Sequence, residues 1–395
     1  MKRYQFLICV LPIYGFLLLT LTACAPVPAV DTSPTPLSAA TSTSTAIPDE
    51  LLPHTFYYLA DGQVFRMERD GKTVTQITFE PVNVTDYDIS LADGSVAYVA
   101  NNQMLLVNAH GSNRRVLVDG EPRENNPWIT SPVFSPNGQT LAYGHKGLNL
   151  YDISTGVSNL VIEDQYGDPH ADGLRLSVET YSPMRYSPDG MKLLVALGHW
   201  ESLPSHAVYY PDTNALVRYS EVKDYIYCCS FHGGPVWSPD SSSFYGVASV
   251  HDTSYQYGEL WRVDAGNGAV TRTFNSSFVG GGTVSLPVEP YLAPDGQLYF
   301  FFGMYHVDSG FWDAPVLKLV RFAPDGVTEL TVLRDENFVL LNEALWAPDA
   351  SFVIVSIAPA RNWNLDSGVL EMYYIDGQKS VVSLAPLGQQ MKWGP

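Results

Sequence analysis

The pattern of apolar and polar positions divides the chain into three stretches. Residues 6–21 are mostly apolar and follow the basic pair Lys2 and Arg3. Residues 25–49 hold no aromatic residue and almost no large apolar one. From His54 onward apolar residues return in strand-length runs bounded by turn residues, such as Gln139-Thr140-Leu141-Ala142-Tyr143 and Lys192-Leu193-Leu194-Val195-Ala196. With 24 Tyr, 17 Phe and 8 Trp the composition also favours strands over helices.

One turn phrase recurs in the third stretch: an apolar or aromatic residue, Ser or Ala, Pro, Asp or Asn, and usually Gly. It reads Phe134-Ser135-Pro136-Asn137-Gly138, Tyr186-Ser187-Pro188-Asp189-Gly190 and Trp237-Ser238-Pro239-Asp240. It returns as Leu292-Ala293-Pro294-Asp295-Gly296 and Trp346-Ala347-Pro348-Asp349, with a degenerate copy at Leu91-Ala92-Asp93-Gly94. Proline presets φ, the Asp or Asn side chain can bond backbone two residues on, and glycine supplies a positive φ. Each copy is therefore a tight hairpin, and a second hairpin follows in every unit. Leu150-Tyr151-Asp152-Ile153 into Val157-Ser158-Asn159-Leu160-Val161 is one, and Tyr373-Tyr374-Ile375-Asp376-Gly377 into Val381-Val382-Ser383-Leu384 is another.

Four strands at a period of roughly 50 residues is the signature of a β-propeller. The unit at residues 54–79 has three strands and lacks an inner one, whereas Gln389-Gln390-Met391-Lys392-Trp393 is an orphan run. The expected fold is all-β: a seven-bladed β-propeller of four-stranded antiparallel blades, its ring closed by the C-terminal strand. The S-P-D-G turns and long blades resemble the TolB-type WD40-like (PD40) propeller repeats over nearly all of residues 54–395. That resemblance implies a fold more than an activity, since the group includes periplasmic scaffolds and the propeller domains of prolyl-oligopeptidase-like peptidases. A lipid-attachment cysteine is not typical of TolB itself, and no separate N-terminal domain precedes this propeller.

The first two stretches read as an address. The apolar run is short for a membrane span of about 20 residues and suits the core of a signal peptide. It ends in Leu21-Thr22-Ala23-Cys24, which resembles the lipobox of bacterial lipoproteins. The resemblance implies cleavage before Cys24 and lipid on its sulfur; an ordinary secretory signal with an incidental cysteine is the alternative. The expected organisation is a lipoprotein signal peptide over 1–23, the lipidated cysteine and a flexible Pro/Ser/Thr-rich tether over 24–49, and the propeller over 50–395. The tether cannot bury enough surface to offset its ordering. A formal charge of −19 disfavours nucleic-acid binding. The expected product is a monomer held at the cell envelope, outside the cytoplasm, by its lipid.

If the strands of a blade are labelled A to D from the axis outward, the short A–B and C–D turns share one face. The longer B–C and D–A connections share the other, with B–C loops at residues 198–206, 250–258, 303–315 and 358–368. His170, His199, His206, His232, His251 and His306 fall in those long connections, with Trp200, Tyr255, Tyr257, Tyr305, Trp312 and Trp363. Polar and aromatic residues on long loops of a rigid scaffold suit protein, peptide or glycan recognition. Local packing of the same aromatics is the plainer alternative, and it is the expected role of Trp237, Trp261 and Trp346. The adjacent Cys228 and Cys229 can form a vicinal disulfide, hold a soft metal with His232, or stay reduced. No cofactor is implied, although histidines with Asp168, Asp172, Glu201, Asp252, Asp308 and Asp313 leave open a divalent metal in the central funnel.

Catalytic signatures are scarce. There is no G-x-S-x-G, H-E-x-x-H or C-x-x-C, and Gly71-Lys72-Thr73 lacks the first glycine of a phosphate-binding loop. Non-catalytic binding is therefore the expected work. The contrasting class is a glycan hydrolase or lyase whose acid and base are loop carboxylates and histidines around the funnel. A purely structural envelope protein is a third reading.

Overall fold

The computed structural model describes residues 50–395 except 121–127, 169–175, 199–204, 219–233, 253–254, 275–282, 307–315, 324–329 and 360–366. The fold is all-β, and every strand pairing within its sheets is antiparallel. Four sheets have four strands each, and they begin with Val84–Ile89, Thr130–Phe134, Val236–Trp237 and Thr283–Leu292. A fifth, built on Ser177–Tyr186, carries the extra short strand Gln165–Tyr166. In each, the strands follow chain order, as expected of hairpins joined by short turns.

The sixth sheet joins the two ends of the propeller sequence. It runs from Leu341–Trp346 through Phe352–Ile357, Gly368–Tyr374 and Val382–Trp393 to Phe56–Ala60, Gln63–Met67 and Val74–Gln76. Val382–Trp393 serves both halves: Val382 lies opposite Met372 and Ala385 opposite Leu370, whereas Gln389 lies opposite Leu59 and Trp393 opposite Phe56. The orphan C-terminal run thus pairs with the first strand.

The first strands of successive sheets lie side by side. Thr130–Phe134 rests against both Val84–Ile89 and Ser177–Tyr186, and Thr283–Leu292 against both Val236–Trp237 and Leu341–Trp346. Val382–Trp393 touches Leu341–Trp346 on one side and Val84–Ile89 on the other. This is a β-propeller, with apolar faces of adjacent sheets making the core. Tyr57, Leu59 and Val64 pack on Tyr87, Val96 and Tyr98 at one such interface. Phe301 and Phe338 meet edge to face at 4.9 Å at another. Burying an aliphatic or aromatic side chain of this size contributes roughly 1.5–3 kcal/mol over leaving it exposed. Trp237, Trp261 and Trp346 are buried, as the packing role requires.

The recurrent turn phrase behaves as its chemistry dictates. Asn137, Asp189 and Asp240 accept from the hydroxyls of Ser135, Ser187 and Ser238 at 2.7, 2.5 and 2.6 Å. Each also accepts from the N–H two residues on, at 2.9 to 3.0 Å. Gly138, Gly190 and Gly296 then take φ of 69°, 72° and 78°, and Ser241 and Ala350 occupy the same left-handed conformation without glycine.

Three expected B–C loops are shorter than the sequence suggested. Ser243–Asp252 and Tyr255–Asp264 are ten-residue strands in register to Asp252 opposite Tyr255, so His251, Tyr255 and Tyr257 belong to a hairpin. His206 lies in Ser205–Tyr210, and Tyr305 and His306 end Leu298–His306. Val, Ser, Tyr and His with no proline between residues 243 and 264 support continued pairing.

Candidate functional site

The innermost strands carry a recurrent irregularity. In six of them the register against the second strand slips by one residue, between Val84 and Asp86, Thr130 and Val133, Pro183 and Arg185, Val288 and Tyr291, Leu341 and Glu343, and across Gln389–Lys392. Such bulges bend a strand and redirect its side chains. Ser131, Glu289 and Gln390, within these bulges, have φ of 52°, 54° and 51°. Where a bulge occurs, one or more charged residues stand beside it in five of the six strands: Asp86 and Asp88, Arg185, Glu289, Glu343, and Lys392.

These six side chains converge. Arg185 is under the influence of Asp88, Glu289 and Glu343, which come from three other sheets, so they face one another across a common axis. The Arg185 side chain is nevertheless exposed, which makes the axis a solvent-reached well and not a closed core. The acids are held mainly by the backbone of the next innermost strand. Asp86 accepts from the N–H groups of Tyr87 and Ser131 at 2.8 and 2.9 Å. Asp88 accepts from Phe134 N–H at 2.7 Å and pairs with Lys392 Nζ at 2.9 Å. Glu343 Oε1 accepts from Met391 N–H at 2.8 Å. In contrast, the Arg185 guanidinium donates no hydrogen bond and forms no ion pair among the described residues.

Enclosure shifts the titration of the group. Burial raises Asp86 above its ordinary value, opposed by Lys392 and the two N–H donors. Glu289, buried and close to the Glu343 charge, is pushed up to about 8. Burial raises Glu343 to about 7, against the pull of Met391 N–H and Lys392. The surrounding protein lowers Arg185, and the nearby acids oppose that shift. Two carboxyls of the well thus change charge near neutral pH.

The residues expected to form a binding face are distributed differently. Cys24, His170, His199, Trp200, Cys228, Cys229, His232, Trp312 and Trp363 lie outside the described residues. His251 stands opposite Gln256, Tyr257 opposite Val250, Tyr305 opposite Val284 and His306 opposite Thr283. The strand holding Tyr255 and Tyr257 lies against Thr283–Leu292, so these five positions belong to two adjoining sheets. His206 is on a third strand opposite Ala196, where burial lowers its imidazole to about 4 and keeps it neutral. Among the described residues no three His, Cys, Asp or Glu side chains group as metal ligands. The axial charges were the part that sequence reading missed. Superposing the repeats on the Ser/Ala-Pro-Asp turn would have shown charged residues in the run just before it.

No protein-family model matches the chain, and no curated relative matches it. Among solved structures, one from a study of two prolyl endopeptidases is similar at a TM-score of 0.51 and 12% identity, covering 87% of this chain and 51% of that one. TolB from Acinetobacter baumannii is similar at a TM-score of 0.42 and 17% identity, over 86% of this chain and 79% of its own. A puromycin-hydrolyzing peptidase from Mycobacterium tuberculosis gives 0.49 and 13%, over 85% and 53%. The chain spans about half the length of the prolyl endopeptidase, and identities this low speak to fold alone.

Proposed function

We propose that this chain is a lipid-anchored, extracytoplasmic propeller scaffold that binds a protein, peptide or glycan without transforming it. In this reading seven four-stranded blades form a ring that residues 389–393 close, standing on a tether that begins at Cys24. Ring closure is supported by the double pairing of Val382–Trp393. Anchoring rests on the lipobox-like Leu21-Thr22-Ala23-Cys24. The same location argument makes the partner an envelope component.

The observation that favours binding over catalysis is the engagement of the axial acids. Asp86, Asp88 and Glu343 accept backbone N–H groups from the neighbouring innermost strand, a mechanical task that ties these strands together. A thermal-shift screen of the full chain in detergent, against glycans, cell-wall peptides and divalent ions, tests this reading. A raised midpoint with an unchanged ligand supports it, because a ligand of the folded state stabilises by mass action. Ligand turnover in the same mixture refutes it. Cys24→Ser, expected to leave the protein without lipid by mass spectrometry and free of the membrane fraction, tests the anchor separately.

One observation favours the enzyme reading: Glu289 and Glu343 adjoin, with titrations displaced upward to different extents. Paired carboxyls of this kind divide acid and base roles in glycoside hydrolysis. Glycan cleavage that disappears in both Glu289→Gln and Glu343→Gln would establish it.

A further inference from the structure

We infer that the axial well contains an oxyanion site centred on Arg185, suited to the carboxylate or phosphate group of a small ligand. The argument begins with an imbalance of donors and acceptors. Asp86, Asp88 and Glu343 already accept from Tyr87, Ser131, Phe134 and Met391 N–H groups, and Lys392 is committed to Asp88. Arg185 has five N–H donors and, among the described residues, spends none of them. None of the carboxyls that face Arg185 is hydrogen-bonded to it among the described residues, so its fork is open to an acceptor that a ligand brings.

Access and geometry agree. The Arg185 side chain is solvent-exposed although its surroundings are protein on the axis, so a ligand can reach it without the blades parting. A guanidinium presents a planar fork that meets two oxygens of a carboxylate or phosphate at once. It also stays charged across the accessible pH range, so the anchor itself does not titrate away.

The opposing consideration is repulsion. Asp88, Glu289 and Glu343 all face Arg185, and four axial acids outnumber Arg185 and Lys392. Lys392 lies against Asp88 and also acts on Asp86 and Glu343; Tyr87 faces Asp86, Asp88 and Glu343. Glu289 faces Glu343 and Arg185. Protonating Glu289 and Glu343 equalises acids and bases, and each neutral carboxyl gains an O–H donor. Since those two protons are taken up near pH 8 and 7, an anion and protons should bind together. This site is independent of whether the propeller is a scaffold or an enzyme.

The test is calorimetric titration of the full chain in detergent with inorganic phosphate and, separately, with acetate and succinate, at pH 6 and pH 8.5. Repeating it in buffers of different ionisation heat reads proton uptake. The expected result is binding at pH 6 that weakens about tenfold or more at pH 8.5, roughly the 1.4 kcal/mol that a factor of ten represents. Arg185→Gln should abolish it, and Arg185→Lys, which keeps the charge but loses the fork, should weaken it. Combined Glu289→Gln and Glu343→Gln should flatten the pH dependence. Phosphate binding alone, or carboxylate binding alone, supports the site and identifies its ligand. The inference is overturned if neither anion binds at pH 6, or if both Arg185 variants, folded by circular dichroism, bind as the parent does.

Discussion

Two seams between neighbouring innermost strands are built on different principles. Beside the C-terminal strand, Trp393 Nε1–H donates to the Trp346 carbonyl at 2.8 Å and Glu343 clasps Met391 N–H. On the other side of the same strand, Tyr87 donates to the Gln390 carbonyl at 2.5 Å, Gln390 to the Thr85 carbonyl at 3.1 Å, and Lys392 pairs with Asp88. The seam between the Ser177–Tyr186 and Val236–Trp237 sheets has Pro183 and Gly234 three residues before its terminal aromatics, where Glu343 stands before Trp346. Neither offers a side-chain acceptor. It relies on Trp237 donating to the Arg185 carbonyl at 3.2 Å, Tyr210 donating to the Ala265 carbonyl at 2.9 Å, and an apolar cluster of Leu194, Val208, Phe244 and Val263. The contacts of Tyr87 and Asp88 with this C-terminal strand span 303 and 304 residues, against 47 and 48 on its Trp346 side, so ordering them closes far longer loops. Polar clasps gather where the connecting backbone helps least.

The comparison can be broken most severely at Trp346. It packs on Tyr291, Tyr299 and Phe301, donates to Glu289 and accepts from Trp393. Trp346→Ala should cost about 3–5 kcal/mol in denaturant titration, in the range of aromatic truncations in cores. A loss under about 1 kcal/mol would show that the seam between Thr283–Leu292 and Leu341–Trp346 does not limit stability, since the carbonyl that Trp393 bonds is kept in the variant. Lys392→Met comes next, with an expected loss of roughly 1–3 kcal/mol from leaving Asp88 without its cation. Lys192→Met, which breaks the Lys192–Asp189 pair on the turn face, should cost no more than about 1 kcal/mol. Equal losses would remove the distinction between the axis and the turn face.

A pH series sharpens the contrast further. Glu289 and Glu343 titrate in the fold at about 8 and about 7, against an ordinary value of 4.5. The unfolded chain therefore releases these protons first, so their contribution to stability falls as pH rises from about 4.5 to about 8 and is level outside that window. Glu289→Gln should accordingly stabilise the protein at pH 8.5, by about 1 kcal/mol or more, and change little at pH 4. Melting both forms across this range checks the sign. The smallest effect is expected at Ala350, which holds φ of 57° where other copies of the turn have glycine. Ala350→Gly should stabilise by up to about 1 kcal/mol through relief of left-handed strain.

The fold was legible because its signals are local. Ser187-Pro188-Asp189-Gly190 contains the acceptor, the preset φ and the positive φ that close its hairpin, all within four residues. Trp237, Trp261 and Trp346 were legible for a related reason, since large aromatics in strands that meet on both faces have to be buried. The axial well was not. Asp88, Arg185, Glu289 and Glu343 each lie about 50 to 100 residues from the next, and each alone reads as an ordinary strand charge. Only the curvature that brings inner strands round one axis makes them neighbours. His206, His251 and His306, expected in loops, lie on strands instead. A stretch such as residues 250–258, rich in polar and aromatic residues, looks like a loop by composition, yet the register runs unbroken from Ser243 opposite Asp264 to Asp252 opposite Tyr255.

The first strand, Phe56–Ala60, has antiparallel neighbours on both sides, Gln63–Met67 and the end of Val382–Trp393. Just upstream, Leu51 and Leu52 N–H groups both donate to the Arg69 carbonyl, at 2.8 and 2.9 Å. Tension applied to the chain ahead of Leu51 would meet these two bonds first and then pull Phe56–Ala60 along its own axis. Its rungs to both neighbours would be loaded together in shear, instead of being peeled one at a time. The strand that pairs with the C-terminal strand is thus also placed to resist a mechanical pull.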